Sequence, residues 1–256
     1  MLLTADGIVP DWPAPPGVRA LVTTRVGGVS VAPFDSFNLG DHVRDEPLAV
    51  AGNRERLAAL ISPARPVFLQ QVHGTHIARL EPDTPDGTVA DACVAHVPDV
   101  AATIMVADCL PVLFAHASGT AVAAAHAGWR GLVHGVLEAT ARELSDAAGD
   151  GEIIAWLGPC IGPQAFEVGA EVCEAFVALD HETAAHFWPL GKGKFLADLP
   201  ALARRRLQKA GITNVHGNDG SPAWCTVTQT SRFFSHRRDA VRLGSTGRMA
   251  ACIWID

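Results

Sequence analysis

The feature that most constrains this chain is a succession of apolar runs between residues 90 and 126, broken only by short polar turns. The most apolar of these stretches, Val100 to Ala115, is interrupted by Asp108 and Pro111 and so falls short of the about 18 uninterrupted apolar residues that a membrane helix needs. Runs of this length with β-branched residues, bounded by turn residues, read instead as strands buried on both faces. Such strands must be covered above and below, which calls for further layers of structure on each side. Additional strands are predicted at Leu21–Arg25, Val67–Val72, Glu152–Leu157 and Met249–Ile255, alongside Ala90–His96, Ala102–Ala107, Pro111–His116 and Ala121–His126.

Helical spacing of good helix formers appears at Leu48–Ile61, Gly131–Ala147, Glu171–Leu179 and Leu199–Lys209, with Gly211 as a stop for the last. Strands and helices alternate without a strict βαβ rhythm, so the expected class is α+β with mixed sheets covered by helices rather than a doubly wound nucleotide fold. With 256 residues the chain can bury a large core, and no repeat, low-complexity tract or linker divides it. One domain over residues 1–256 is expected, with residues 1–18 as an N-terminal arm whose proline-rich part is Pro10–Pro16.

The net charge of −7 excludes the electrostatic footprint of a nucleic-acid or anionic-membrane partner, and no basic block exceeds Arg204-Arg205-Arg206. A small-molecule partner is expected, on a protein that is a monomer or weak homodimer. The N-terminus lacks a basic segment followed by an apolar one, so a cytoplasmic location is expected. Cys93, Cys109, Cys160, Cys173, Cys225 and Cys252 form no CxxC pair and read as free thiols, all but Cys109 as small buried hydrophobes.

Three segments place a metal-competent side chain at the end of an apolar strand: Gln70-Gln71-Val72-His73-Gly74, Ala107-Asp108-Cys109-Leu110-Pro111 and Ala125-His126-Ala127-Gly128-Trp129-Arg130. Strand ends followed by Gly or Pro are where a rigid scaffold presents side chains to a cleft. Imidazole and thiolate are zinc's preferred donors, and His73, Cys109 and His126 would leave a fourth position open for water or substrate. Taken singly, each is as readily an ordinary half-buried residue, and the spacings match no general metal motif. Cys109 with His126 or His73 could also be a thiolate–imidazole pair for acyl transfer.

Arginines in turns add anion sites. Arg25 follows a strand in Thr23-Thr24-Arg25-Val26-Gly27-Gly28, Arg130 stands at a helix start, and Arg238 lies in Phe233-Phe234-Ser235-His236-Arg237-Arg238. A guanidinium fork and free backbone amides suit phosphate, although surface salt bridges are the plainer reading. Gly158–Pro163 reads as a rigid turn. The remaining histidines, His42 among them, read as structural, and Trp156, Trp188 and Trp254 as core or near-core, whereas Trp129 could line a pocket for a planar ring such as a purine.

Taken together, TTRVGGVS (23–30), FNLGDHVRDEP (37–47), NRERL (53–57), QQVHGTHI (70–77), ADCLPVLF (107–114), HAGWRGL (126–132), LGPCIGPQAFEVG (157–169) and CTVTQTSRFFSHRRD with TGRMAACIWI (225–255) resemble the bacterial laccase-domain proteins. That group, similar in name to multicopper polyphenol oxidases, is also described as purine nucleoside phosphorylases and as peptidoglycan editing factors. The resemblance implies a four-layer α/β/β/α sandwich related to cysteine hydrolases, and a Zn²⁺ on His73, Cys109 and His126, with copper as the other metal to consider. It further implies phosphorolysis of adenosine, inosine and methylthioadenosine, and deamination of adenosine. On that basis Cys109, Arg130 and Asp108 are the catalytic candidates, and Arg25, Gly28, Asn38, Gln71, Trp129 and Arg238 the candidate substrate or phosphate contacts. Asp108 adjoins a ligand and could serve as proton shuttle, as a support for that ligand, or only structurally. His236 stands where the family has Tyr. Alternatives are a Cys109-dependent amidase acting on a cell-wall precursor, a non-catalytic binding protein, and a copper phenol oxidase, which the lack of HxH pairs disfavours.

Overall fold

Strands that are apolar on both faces have to end in the middle of a layered stack, and they do. A computed structural model of the chain describes residues 2–4 and 7–256. In chain order the first strands are β1 (Leu2–Leu3), β2 (Ile8–Val9), β3 (Val18–Val22), β4 (Arg65–Phe68), β5 (Ile77–Leu80), β6 (Ala92–Ala95), β7 (Val100–Val106) and β8 (Leu110–His116). They are followed by β9 (Val122–Ala127), β10 (Ile153–Leu157), β11 (Glu167–Gly169), β12 (Phe187–Gly191), β13 (Lys194–Ala197), β14 (Asn214–Gly217) and β15 (Met249–Ile255). The α-helices are α1 (Pro47–Leu60), α2 (Trp129–Val133), α3 (Val136–Ala148), α4 (Ala170–Leu179), α5 (Leu199–Lys209) and α6 (His236–Leu243).

Two six-stranded mixed sheets form the centre: sheet one in the order β1-β2-β3-β15-β7-β4, sheet two in the order β14-β10-β8-β9-β6-β5. In sheet one β15 runs antiparallel to β3 and β7 while β4 is parallel to β7. In sheet two β8 is antiparallel to β9 and β10, and the outer strands β5 and β14 join in parallel. A three-stranded sheet, β11-β13-β12, lies apart from these two.

The period-two alternation of each strand sorts its side chains into two cores. Val100, Ala102, Ile104 and Val106 of β7 pack between the sheets with Cys93, Leu113, Ala115 and Ala124 of sheet two. Ala101 and Met105 of the same strand face the other way, onto Leu57 and Ile61 at the end of α1. On the far side Leu110, Val112 and Phe114 of β8 meet Leu137 and Leu144 of α3 and Leu202 and Leu207 of α5. The layers therefore run helix, sheet, sheet, helix, as the four-layer expectation has it. β9, written VAAAHA, is buried throughout, and its alanines suit a strand with packed layers on both faces.

Element ends follow local chemistry. α5 and β15 occupy their expected spans, and Gly211 adopts φ 83° just past α5. The helix expected over Gly131–Ala147 is two helices, because Gly135 adopts φ 94°, a left-handed conformation that interrupts the run and suits glycine. α6 lacks an apolar stripe and was not expected; the Ser235 side chain caps it by accepting from the Arg238 amide at 3.1 Å. Short, half-polar strands such as β5 and β11 to β14 also escape the apolar pattern. The segment read as an N-terminal arm contributes edge strands β1 and β2, with Ile8 fully buried and Trp12 and Ala14 against the inter-sheet core. Trp188, expected in or near the core, is 46% exposed on β12, and Cys173 is half-buried. No described helix is long and apolar enough to cross a membrane.

Phe114 is fully buried between sheet two and its helices. Truncation to alanine is expected to cost about 3–5 kcal/mol, seen as a lower urea midpoint with an unchanged slope. A loss below about 1 kcal/mol would contradict the packing described.

Candidate metal centre and ligand cleft

The pairing of β8 with β9 sets Pro111 opposite His126. Cys109, just before β8, shares the alternation of Leu113 and Ala115, and His126 that of Ala124, so both point between the sheets at one end of the stack. His73 arrives from the irregular segment after β4, with its backbone at φ 62°. A left-handed residue other than glycine needs outside support. That support is Asp91, a buried carboxylate that accepts from the amides of Val72 at 3.2 Å, His73 at 2.8 Å and Gly74 at 2.6 Å.

The same carboxylate lies 2.9 Å from Nδ1 of His126, and the Asp91 carbonyl accepts from the His126 amide at 2.7 Å. A carboxylate only accepts, so Nδ1 carries the proton and Nε2 is left for the cleft. The ligand atoms of His73, Cys109 and His126 all lie within 4.8 Å of one another, and the His73 Nε2 to Cys109 Sγ separation is 3.8 Å. Zinc–nitrogen and zinc–sulfur bonds of ordinary length at a tetrahedral angle put such a pair about 3.5 Å apart. The donor set, its spacing and the carboxylate behind one imidazole thus fit a three-ligand metal site. Gly128 closes the site from one side: a Cβ there would sit 2.9 Å from His73 Cδ2 and 3.1 Å from Cys109 Sγ.

Without metal the three groups form a charge-separated cluster. Burial pushes the Cys109 thiol up, but His126 and His73 outweigh it and bring it down to about 6. Burial pushes His126 down, but the Cys109 and Asp91 charges and hydrogen bonds raise it to about 9. Asp91, which burial alone would raise, is held below its ordinary value by His126 and the Gly74 and His73 amides. A thiolate–imidazolium pair at neutral pH is the consequence.

These groups open into a cleft of about 660 Å³, which Gln71, Trp129 and Asp108 also line. Gln71 is clamped to β7, its amide donating to the Met105 carbonyl and accepting from the Met105 amide, each at 2.8 Å. The Asp108 carboxylate accepts from Thr226 Oγ1 at 2.5 Å, Ser235 Oγ at 3.1 Å and the Arg237 amide at 2.6 Å, so it is occupied by the start of α6.

The remaining candidates lie away from the cleft lining. Arg25 donates to the carbonyls of Asp35 and Thr230 and pairs with the Asp35 carboxylate. Arg238 donates to the carbonyls of Thr226, Val227 and Phe233 and pairs with Asp239. Arg130 lies over the Trp129 ring at 4.4 Å. Gly28 occupies a tight turn where a Cβ would meet Phe37 Cα at 2.5 Å. Asn38 is fully buried, donating to the Gly40 carbonyl and accepting from the amides of Gly40 and Arg248.

Several cleft residues were missed by the sequence reading. Arg248, His42, Arg54, Phe68, Phe166 and Arg237 line it, as does His236. For Asp91 a signal did exist: an acidic residue opening an otherwise apolar strand is a buried charge, and a buried charge has a partner. Arg248 and His42 lie within the family-like segments, but nothing in their local pattern marks them as cleft residues.

Known proteins share this arrangement of chain. A family model described as "Multi-copper polyphenol oxidoreductase laccase" matches residues 19–256. A Pseudomonas aeruginosa protein named purine nucleoside phosphorylase is 53% identical over 97% of this chain and 98% of its own length. The Escherichia coli purine nucleoside phosphorylase YfiH is 50% identical with the same coverage. The crystal structure of a Neisseria meningitidis protein superposes with a TM-score of 0.90 at 46% identity, covering 97% of this chain and 98% of that one.

Metal-free protein treated with iodoacetamide should modify Cys109 with a half-maximal rate near pH 6, against about 8.5 for an ordinary thiol. Asp91→Asn should move that midpoint upward and weaken metal binding by about 10–100-fold. An unshifted midpoint in wild type would sink the thiolate–imidazolium assignment.

Proposed function

The chain belongs to the multi-copper polyphenol oxidoreductase laccase family, and from that premise we propose that it is a zinc-dependent purine nucleoside phosphorylase that also deaminates adenosine. The observation that carries the proposal is the His73, Cys109 and His126 donor set opening into a cleft with room for a nucleoside. The names of the Pseudomonas and Escherichia relatives support the substrate class. A reducing cytoplasm, where thiols stay free, suits a thiolate ligand.

Zinc held by the two imidazoles and the thiolate would supply Lewis acidity at the open end of the cleft. The chain's own residues do the rest. Asp91 fixes the His126 ring, and the Asp91-bound turn holds His73. Trp129, Phe68 and Phe166 offer apolar faces against which a purine can lie. In phosphorolysis a phosphate oxygen bonds to C1′ of the ribose as the bond to the base nitrogen breaks, and the base leaves with a proton. In deamination water adds at C6 of adenine and ammonia leaves. Both steps need the ligand held against one wall while water is limited. The half-buried cleft between two packed sheets serves that need.

Copper is the less favoured metal, since one His/Cys group is present among the described residues and multicopper oxidation needs several. A second reading draws on a specific feature: Asp91, His126 and Cys109 follow one another as an orienting acid, a base and a thiolate held down to about 6. That arrangement also suits a cysteine amidase.

Purified protein incubated with adenosine should release adenine only when phosphate is present, and inosine with or without it. Chelation and Cys109→Ala should abolish both, and Cys109→Ala should lose bound metal. Zinc-loaded wild type that yields neither base nor ammonia rejects the nucleoside reading, and hydrolysis that survives chelation favours the amidase.

A further inference from the structure

Arg248 is a cation without a carboxylate partner in the wall of the cleft. Its Nη1 donates to the carbonyls of Thr246 at 3.0 Å and Gly247 at 3.3 Å, and the guanidinium makes no ion pair among the described residues. Its position is set from behind. The Arg248 amide donates to Asn38 Oδ1 at 2.8 Å, and Gly40 leaves its stem just enough room, since a Cβ there would sit 2.8 Å from Arg248 Cγ. A half-buried guanidinium held this way has lost hydration on one side and lacks a compensating charge on the other.

Its surroundings carry both signs of charge, with Arg54 as a second permanent cation in the cleft wall. His42 and Arg54 line the same cleft, the Arg54 guanidinium lying 4.1 Å over the Phe68 ring. Asp41 and Asp108 are the carboxylates among the described lining residues. Asp41 is shared between Arg54 at 3.1 Å and His42 at 3.5 Å. Asp108 is occupied by Thr226, Ser235 and the Arg237 amide. The Cys109 and Asp108 charges both raise the pKa of Arg248, but among the described residues no carboxylate lies within ion-pair distance of its guanidinium, and the thiolate is already matched by His126. Burial pushes both Arg248 and His42 below their ordinary values, and the Arg248 charge pushes His42 further against the opposing pull of Asp41.

We infer that Arg248, with His42 and Arg54 beside it, forms an oxyanion subsite in the cleft, and that the ligand class it takes is a phosphate. A guanidinium fork presents paired donors to a tetrahedral oxyanion, the Arg54 charge adds to its field, and the His42 ring, held below its ordinary pKa, offers an N–H rather than a charge. The phosphate could be free inorganic phosphate or a phosphate borne by the substrate. As the co-substrate site of phosphorolysis the assignment rests on the nucleoside reading above; as an anion site it does not.

The test is titration of the metal-loaded protein with inorganic phosphate and, separately, with adenosine 5′-monophosphate, at constant ionic strength. Wild type should bind at least one of the two saturably, and Arg248→Gln should weaken that binding by about tenfold or more. Arg248→Lys should recover part of the loss, since it keeps the charge but not the fork. Arg19→Gln, an exposed residue paired with Asp256, should match wild type. If free phosphate is the ligand, the KM for phosphate rises about tenfold in Arg248→Gln while the nucleoside KM stays within about twofold. If the phosphate is substrate-borne, only the nucleotide arm moves. Folded Arg248→Gln that binds both anions as wild type does overturns the inference. Should that variant not fold, Arg54→Gln and Arg248→Lys take its place in the titrations, and wild-type affinity in both rejects the subsite. Phosphate binding that depends on Arg248 in a protein that cleaves no nucleoside leaves the subsite standing and removes the nucleoside reading instead.

Discussion

The site depends first on one buried carboxylate. Asp91 takes hydrogen bonds from three successive amides and from the His126 ring, so two candidate metal ligands from separate parts of the chain share one anchor. Leaving such a charge buried and unpaired costs several kcal/mol, and four donors are what make its burial tolerable. The exchange runs both ways. The amide cluster can hold the left-handed turn at His73 only because a negative charge fills it, and the His126 ring can present Nε2 only because the other nitrogen is held.

Asp108 performs a parallel task on the other side of Cys109. With its backbone at φ 89° it turns the chain from β7 into β8, and its carboxylate gathers Thr226, Ser235 and the Arg237 amide. Ser235 in turn caps α6. The C-terminal segment is thereby tied to the turn that carries the thiol, and His236 and Arg237 are brought to the cleft. The acid beside Cys109 thus ties the C-terminal segment to this turn while still lining the cleft.

The arginines show how far local motifs reach. Arg25 and Arg238 sit in turns rich in Gly, Ser and Phe, the setting in which an anion site is usually sought, yet both guanidinia are taken up by backbone carbonyls and a nearby carboxylate. Arg248 stands just before the apolar strand β15, inside TGRMAACIWI but in no anion-site pattern, and it enters the cleft with Arg54 and Arg237. Which way a long side chain points is set by what backbone lies within its reach, and for Arg25 that backbone includes a residue 205 positions away.

What the sequence determined by itself was the layering and the donor chemistry. Unbroken apolar strands can only lie between covered faces, and Cys109 and His126 stand at the ends of such strands, so both were legible from local pattern, whereas the strand expected over Val67–Val72 stops at Phe68 and His73 follows in an irregular turn. Tertiary structure decided the rest: that Asp91 joins His73 to His126, that α2 and α3 part at Gly135, and that Arg248, His42 and Arg54 meet in the cleft beside the donor set while Arg25 and Arg238 line a separate pocket. The physical reason is one of range. Periodicity and turn chemistry act over a few residues, whereas partners of a buried charge and the lining of a cleft are chosen by how two sheets cross and which distant strands they set side by side.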